Sequence, residues 1–184
     1  RRLLQERSVA SRVDIAQAQK ILQDIYSKSS SVPHRLRAMW TLYVTSCLDE
    51  EWLLKQTHDD NEHIRVWAIK LLNDSGVPSA ATYERFVQMG KTDVAGLVQL
   101  HLASTLQRLP HAKRWELAGA LVSHDKYAKD PILPLMVWYG INPAVSENRT
   151  EAVKLIPKCK LPKVRQFIAR RLADEVSQTK KKDQ

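Results

Sequence analysis

The run His58-Asp59-Asp60-Asn61-Glu62-His63 places the common nitrogen and oxygen metal ligands within six residues. Imidazole nitrogens and carboxylate oxygens at this density could take a surface zinc or calcium ion. The helix-borne spacing H-E-x-x-H, which sets two imidazoles one turn apart on one face, is absent, and ligands in an unbroken run rarely converge on one ion. The same residues have a local use. Acidic and amide side chains accept hydrogen bonds from the free N–H groups of a first helical turn, and Glu62 near that end suits the helix dipole. The run therefore reads as a turn entering a helix, and no metal site is assigned.

Other chemistry is sparse. There is no G-x-S-x-G and no phosphate-binding loop, so no catalytic residue is assigned. Cys47 and Cys159 belong to no C-x-x-C or C-x-x-C-H, which leaves zinc, iron–sulfur and haem without ligands and assigns no cofactor to this segment. Cys47 reads as a small buried hydrophobe. Trp40, Trp67 and Trp138, interleaved with Arg37, Arg65 and Arg165, could stack bases or sugars. Each tryptophan falls on its helix's apolar stripe, so core packing is the expected use. Asn148-Arg149-Thr150 fits a glycosylation sequon.

These side chains must be held by helices. Gly is scarce at 5 and aromatics are 7% of the chain, which argues against strands and glycine-rich loops. After the polar turn, Ile64, Trp67, Ala68, Leu71 and Leu72 recur at i, i+3, i+4, i+7 and i+8, one face of a 3.6-residue period. Asp14 is expected to cap a helix with Ile15, Ala18, Ile21, Leu22 and Ile25 inward. A second helix should run from about Pro33 to Cys47 with Leu36, Met39, Trp40, Tyr43, Val44 and Cys47 inward, and Asp49 should cap a third. Pro78-Ser79 opens the next pair. Its first helix is expected to stop at Gly90, and its second to run from Val94 to Leu109. Further helices are expected over 111–124, from Pro131 to a stop at Asn142-Pro143, over 149–156, and over 161–176.

One spacing recurs beneath these pairs: an acid in the turn, an aliphatic residue five positions on and a basic residue six positions on. Asp59, Ile64 and Arg65 are the cleanest copy. Asp93, Val98 and Gln99 replace the base by an amide, and Asp130, Leu135 and Met136 lose it. Ser31, Leu36 and Arg37, like Cys159, Val164 and Arg165, keep the aliphatic and basic members without the acid. Successive sixth-position residues lie 28, 34, 37 and 29 apart, the size of two-helix repeat units. The spacing puts the base one turn inside the second helix, where a neighbouring unit's acid could reach it as a ladder. Arg37, Asp59, Arg65, Asp93, Gln99, Asp130 and Arg165 are thus candidates for a repeat ladder or for a concave face.

The net charge of +9 is unevenly placed. Residues 1–153 hold 19 Lys and Arg against 17 Asp and Glu, while residues 154–182 hold 10 against 2. A nucleic-acid groove across the whole chain would spread its positive charge over several units, so the basic end reads as a solvated helix face and tail. No run of 18 apolar residues exists, and hence no membrane span is expected in this segment. The chain opens on Arg1-Arg2-Leu3-Leu4 without an initiator Met or signal peptide, as an excerpt of a longer protein would.

The Asp59 to Arg65 spacing resembles the HEAT-repeat family, whose motif is an Asp in the turn followed by Val-Arg on the second helix. A closer resemblance covers nearly the whole chain. Leu36-Arg37-Ala38-Met39-Trp40-Thr41-Leu42, Glu62-His63-Ile64-Arg65-Val66-Trp67-Ala68-Ile69, Leu106-Gln107-Arg108-Leu109-Pro110, Leu133-Pro134-Leu135-Met136-Val137-Trp138-Tyr139-Gly140 and Val164-Arg165-Gln166-Phe167-Ile168-Ala169-Arg170-Arg171-Leu172 are similar to the HEAT segment of large exported bacterial membrane-bound dehydrogenases. In that family the segment lies between a β-propeller and a c-type cytochrome. The resemblance implies an all-α, armadillo-like α/α solenoid of about five HEAT-like pairs. It spans residues 1–176 as one domain, with 1–8 the remnant of a preceding repeat and 177–184 a basic tail or linker. It implies a non-catalytic scaffold or protein-interaction module, with neighbouring domains or another protein as partners. It further implies haem c only elsewhere in the parent protein, itself a candidate dehydrogenase, and a periplasmic or otherwise exported location. The alternative reading is a nucleic-acid-binding HEAT-like protein resembling DNA glycosylases.

Overall fold

A computed structural model describes residues 14–182, with the side chains of residues 176 and 178–182 outside that description. The expected remnant over 1–8 therefore lies outside the described residues. Those residues form ten α-helices and three short 3-10 turns, and contain no strand. The chain divides into two compact units, with the boundary between Leu72 and Asn73.

The N-terminal unit holds α1 (Ile15–Lys28), α2 (Val32–Val44), α3 (Glu50–Gln56) and α4 (Glu62–Leu72). The expected caps form: Asp14 accepts from the Gln17 N–H at 3.0 Å and Asp49 from the Trp52 N–H at 2.8 Å. On α1, Tyr26 is the buried residue, whereas Ile21 and Ile25 of the expected stripe are exposed. Helix α2 stops at Val44, three residues before Cys47. Ser46 takes φ +58°, and the Cys47 N–H turns back to the Leu42 carbonyl at 2.9 Å. This closes the helix as a glycine normally would, at the steric cost of a Cβ in the left-handed region. Met39 and Leu42 are fully buried, while Trp40, Tyr43, Val44 and Cys47 are half-buried. Helix α4 buries a wider face than one stripe: Val66 and Ile69 join Ile64, Ala68, Leu71 and Leu72 in the core, and Trp67 is half-buried.

The C-terminal unit holds α5 (Ala80–Thr92), α6 (Gly96–Thr105), α7 (Arg114–Leu121), α8 (Leu133–Val145), α9 (Arg149–Leu155) and α10 (Pro162–Lys182). Helices α5, α7 and α9 pack side by side in one layer, as do α6, α8 and α10 in the other. The chain alternates between the layers, which buries the apolar face of each helix against its predecessor and its successor. Ser79 and Asn148 cap α5 and α9.

The helices expected over 94–109 and 111–124 are α-helical only over Gly96–Thr105 and Arg114–Leu121, with 3-10 turns between them, while three other expected ends lie further along the chain. Helix α5 passes through Gly90 to Thr92, because Gly90 serves packing and not termination: a Cβ there would stand 3.0 Å from Ala120 Cβ. Pro143 lies inside α8 and does not stop it. The bond it removes would have ended on the carbonyl of Tyr139, a residue on the exposed side, where water can replace the lost N–H. Helix α10 runs to Lys182, so the residues expected as a tail continue a helix as far as they are described. Gly140 is sterically required, since a Cβ there would come within 2.5 Å of Leu106 Cβ.

Candidate functional site

The acids found by spacing make one local structure. Asp59 Oδ1 accepts from the Asn61 N–H at 2.9 Å, Asp93 Oδ1 from the Ala95 N–H at 2.9 Å, and Asp130 Oδ1 from the Ile132 and Leu133 N–H groups at 2.8 and 2.7 Å. Each is an Asx-type turn that satisfies N–H groups at the entry of a helix. Six residues on, Arg65 Nη1 donates back to the Asp59 and Asp60 carbonyls at 2.8 and 3.0 Å. Gln99 Nε2 does the same to the Asp93 carbonyl at 2.7 Å, and reaches the Met89 and Gly90 carbonyls at the end of α5 at 3.3 and 3.4 Å. Ile64 and Val98, five residues after their acids, are fully buried. The spacing thus closes the corner of its own helix pair. Met136, six residues after Asp130, has no donor for this.

Where the acid is missing the corner changes. Cys159 is buried, donates its Sγ–H to the Leu161 carbonyl at 3.3 Å, and has its thiol pKa pushed up by burial. Arg165 and Arg37 are exposed.

The ion pair joining successive helix pairs uses a different arginine. Arg35 pairs with Asp59 through both guanidinium nitrogens, one of them at 3.3 Å from Oδ1. It also donates to the Tyr26 hydroxyl at 3.3 Å and lies 4.8 Å from the centre of that ring. The Tyr26 hydroxyl donates to Gln56 Oε1 at 2.7 Å, and its ring meets Trp52 edge-on at 4.9 Å. Burial pushes the Tyr26 phenol up to about 12, against the opposing charge of Arg35. The bond to Asp59 raises the Arg35 guanidinium in turn. Arg35 and Arg37 sit two residues apart on one helix, about 200° around its axis, so a spacing rule that selects one turns the other away.

The C-terminal unit carries two charged clusters that the sequence did not single out. Arg114, nearly buried, donates to the Leu109, Gly140 and Gln107 carbonyls at 2.9, 2.6 and 3.3 Å, and desolvation lowers its pKa. Glu175 accepts from the Ser146 hydroxyl and from Arg149 Nε at 2.9 Å, and forms an ion pair with Arg171 Nε at 3.1 Å. The Ser146 bond, and then the two arginines, hold its carboxyl below the usual range. Both clusters tie neighbouring elements to one another, and their partners are carbonyls, the Ser146 hydroxyl and charged side chains already engaged.

The metal-like run stays spread along its turn: His58 and His63 are exposed, and Asn61 Oδ1 accepts from the His63 N–H at 3.0 Å. Among the described residues no group of three or more His, Cys, Asp or Glu side chains is placed to hold a metal ion. Trp40 and Trp67 meet edge-to-face at 4.6 Å, with Lys70 Nζ 4.0 Å over the Trp67 ring. Trp138 stacks on Phe167 at 5.5 Å. All three tryptophans are half-buried, so they are packed residues with one edge at the surface.

The C-terminal unit also has an open groove of about 780 Å3 between α7 and α9, with Lys91 of α5 at its border. Its floor comes from residues of α7 that recur at helical spacing, Trp115, Gly119 and Ala120 among them. Among the described residues no helix is long and apolar enough to cross a membrane. No known protein family, curated protein or solved structure matches the chain.

Proposed function

We propose that the chain is an α/α solenoid of about five HEAT-like helix pairs that acts as a non-catalytic scaffold or protein-interaction module within a larger exported redox protein. The observation that carries this reading is the repeated corner. Asp59 with Arg65, and Asp93 with Gln99, close successive helix pairs by the same two sets of bonds. A corner that recurs with its chemistry intact supports a repeat protein, whose work is to present surface and to set the distance between its neighbours. The shifted titratable groups, Tyr26, Arg35, Arg114 and Glu175 among them, are engaged in holding helices together.

The parent gene tests the placement. Coding sequence for a β-propeller ahead of Arg1 and for a C-x-x-C-H motif after Gln184 is the expected result. A reading frame confined to these 184 residues overturns it.

A second reading, a nucleic-acid-binding helical protein, draws on the exposed Lys163, Arg165 and Arg170 of α10. Duplex DNA should then bind at low salt and weaken steeply as salt rises. Absence of binding at low salt removes it.

A further inference from the structure

We propose that the open face of α8 is a docking site for an amphipathic helix of a partner protein, apolar on the side it buries and acidic along one flank. The inference rests on the interaction-module reading and names its partner's chemistry. Helix α8 has no charged residue from Leu133 to Val145. It is the middle helix of its layer, with α6 and α10 at its sides and α7 and α9 behind it. Its fourth side is open. Ile132, Leu135, Met136, Tyr139 and Pro143 fall there, within about 100° of one another around the axis. Ile132 is 54% exposed and Tyr139 57%, Pro143 is exposed, and Leu135 and Met136 are half-buried. Single exposed apolar side chains are ordinary, whereas a contiguous apolar stripe on an uncharged helix marks an interaction surface.

The spacing of the stripe suits a helix. Its members recur at i, i+3, i+4, i+7 and i+11, the ridge that one helix offers to the groove of another. The ridge is about 16 Å long at 1.5 Å per residue, so three turns of a partner helix cover it. A helix laid there adds a third layer to the two that the unit already has.

The border of the stripe sets the partner's charge. Trp138 of α8 stacks on Phe167 of α10, and Ser146 after α8 bonds to Glu175 of α10, each pair 29 residues apart. The two helices therefore run in the same direction and in register. Lys163 and Arg170, one turn to either side of Phe167 on its face of α10, stand level with Pro134 and Ile141, beside the two ends of the stripe. Both are exposed, and neither has an ion-pair partner among the described residues. Asp174 lies one turn beyond Arg170, level with Val145 and past the stripe. On the other flank α6 has no Lys, Arg, Asp or Glu from Gly96 to Thr105.

The face is thus apolar along its centre, cationic on one flank and uncharged on the other. Seven residues along α10 separate the two cations by about 10 Å, and two carboxylates seven apart on a docked helix meet both. A second copy of this chain would bring no carboxylate on its own α6 or α8 to these cations. A lipid surface would meet both flanks and find cations at one.

The test uses the full chain and fluorescein-labelled helical peptides of about 18 residues, long enough to hold a helix once docked. One has Leu along one face and two Glu seven apart on a flank, a second replaces both Glu by Lys, and a third scrambles the Leu positions. The Glu peptide should bind at least fivefold more tightly than the Lys peptide and at least tenfold more tightly than the scrambled one. It should also shift the indole N–H resonance of Trp138, assigned through Trp138→Phe. Ile132→Asp with Tyr139→Asp should abolish binding and leave the melting temperature in place, because both side chains are exposed. Lys163→Glu with Arg170→Glu should reverse the preference, so that the Lys peptide binds the more tightly. No binding up to millimolar Glu peptide overturns the proposal, as does equal affinity for the Glu and Lys peptides. Binding untouched by the two Asp substitutions overturns it in favour of another surface. Without peptide binding, capture by phosphatidylglycerol vesicles or self-association of the chain, either one abolished by the same Asp pair, replaces the helix by a lipid surface or a second copy. If the parent gene encodes the expected neighbours and the peptide still fails to bind, the docking proposal alone falls.

Discussion

The corners at Asp59 and Asp93 share the acid and its Oδ1 bond to the N–H two residues on, yet one is closed by Arg65 and the other by Gln99. Arg65 is half-buried and donates to two carbonyls beside water. Gln99 is fully buried, donates to three carbonyls and leaves its own Oε1 without a partner among the described residues. A guanidinium at the second site would pay a desolvation penalty with only carbonyl dipoles to offset it. An amide needs one orphaned oxygen instead, which costs about 1–3 kcal/mol. Burial therefore favours the smaller, neutral donor at this corner, whereas Arg114, a buried guanidinium in the same unit, is held by three carbonyls of its own.

Gln99→Glu should break this comparison hardest. It removes the donors and sets a carboxylate among three carbonyl oxygens, with a loss of at least about 3 kcal/mol in urea unfolding. Gln99→Arg should cost less, about 2 kcal/mol, by overpacking and desolvation. Asp59→Ala comes next at about 2 kcal/mol, since it strands Arg35, whose side chain is 21% exposed, and opens the corner as well. Arg65→Ala should cost about 1 kcal/mol. Arg65→Gln should fall below about 0.5 kcal/mol, because glutamine already does this work at Asp93. If Arg65→Gln and Gln99→Arg cost the same, burial does not decide the donor.

The two units should also fail at opposite ends of the pH scale. Tyr26 of the N-terminal unit has its phenol raised from 10.0 to about 12, so the neutral form is favoured by folding. Its contribution is fully present below pH 10 and is lost as pH rises toward 12, by up to about 2 kcal/mol. Glu175 of the C-terminal unit has its carboxyl lowered, so its contribution is present above the ordinary glutamate value of 4.5 and is lost as pH falls through the depressed one. Thermal melts across pH should show the alkaline limb flattened by Tyr26→Phe and the acid limb flattened by Glu175→Gln. An unchanged limb in either variant assigns that sensitivity elsewhere.

Much of this was legible because it is local. Asp14, Asp49 and Ser79 announce helix starts by residue type alone, and the acid with its sixth-position donor lies within seven residues. The helical class follows from periodicity that every pair repeats. What stayed hidden depends on distant partners. Arg35 finds Asp59 24 residues away, and Glu175 finds Arg149 26 residues away, at separations that no local spacing encodes. Gly90 and Pro143 read as helix stops because both usually are. Only the neighbour at Ala120 and the exposed side at Tyr139 show why neither is. The exposure of Ile21 and Ile25 was equally out of reach, since periodicity finds an apolar stripe without saying what covers it.

Because the corners at Asp59 and Asp93 are bonded from within, a helix pair with such a corner carries its own fastening. Insertions can lengthen the connection between such corners without touching the bonds inside them, although Asp59 also takes Arg35 from the pair before it. On the proposed repeat reading, a spacing that drifts from 28 to 37 residues is then tolerated, since growth in the linking segments leaves the seven residues from Asp59 to Arg65 and from Asp93 to Gln99 intact.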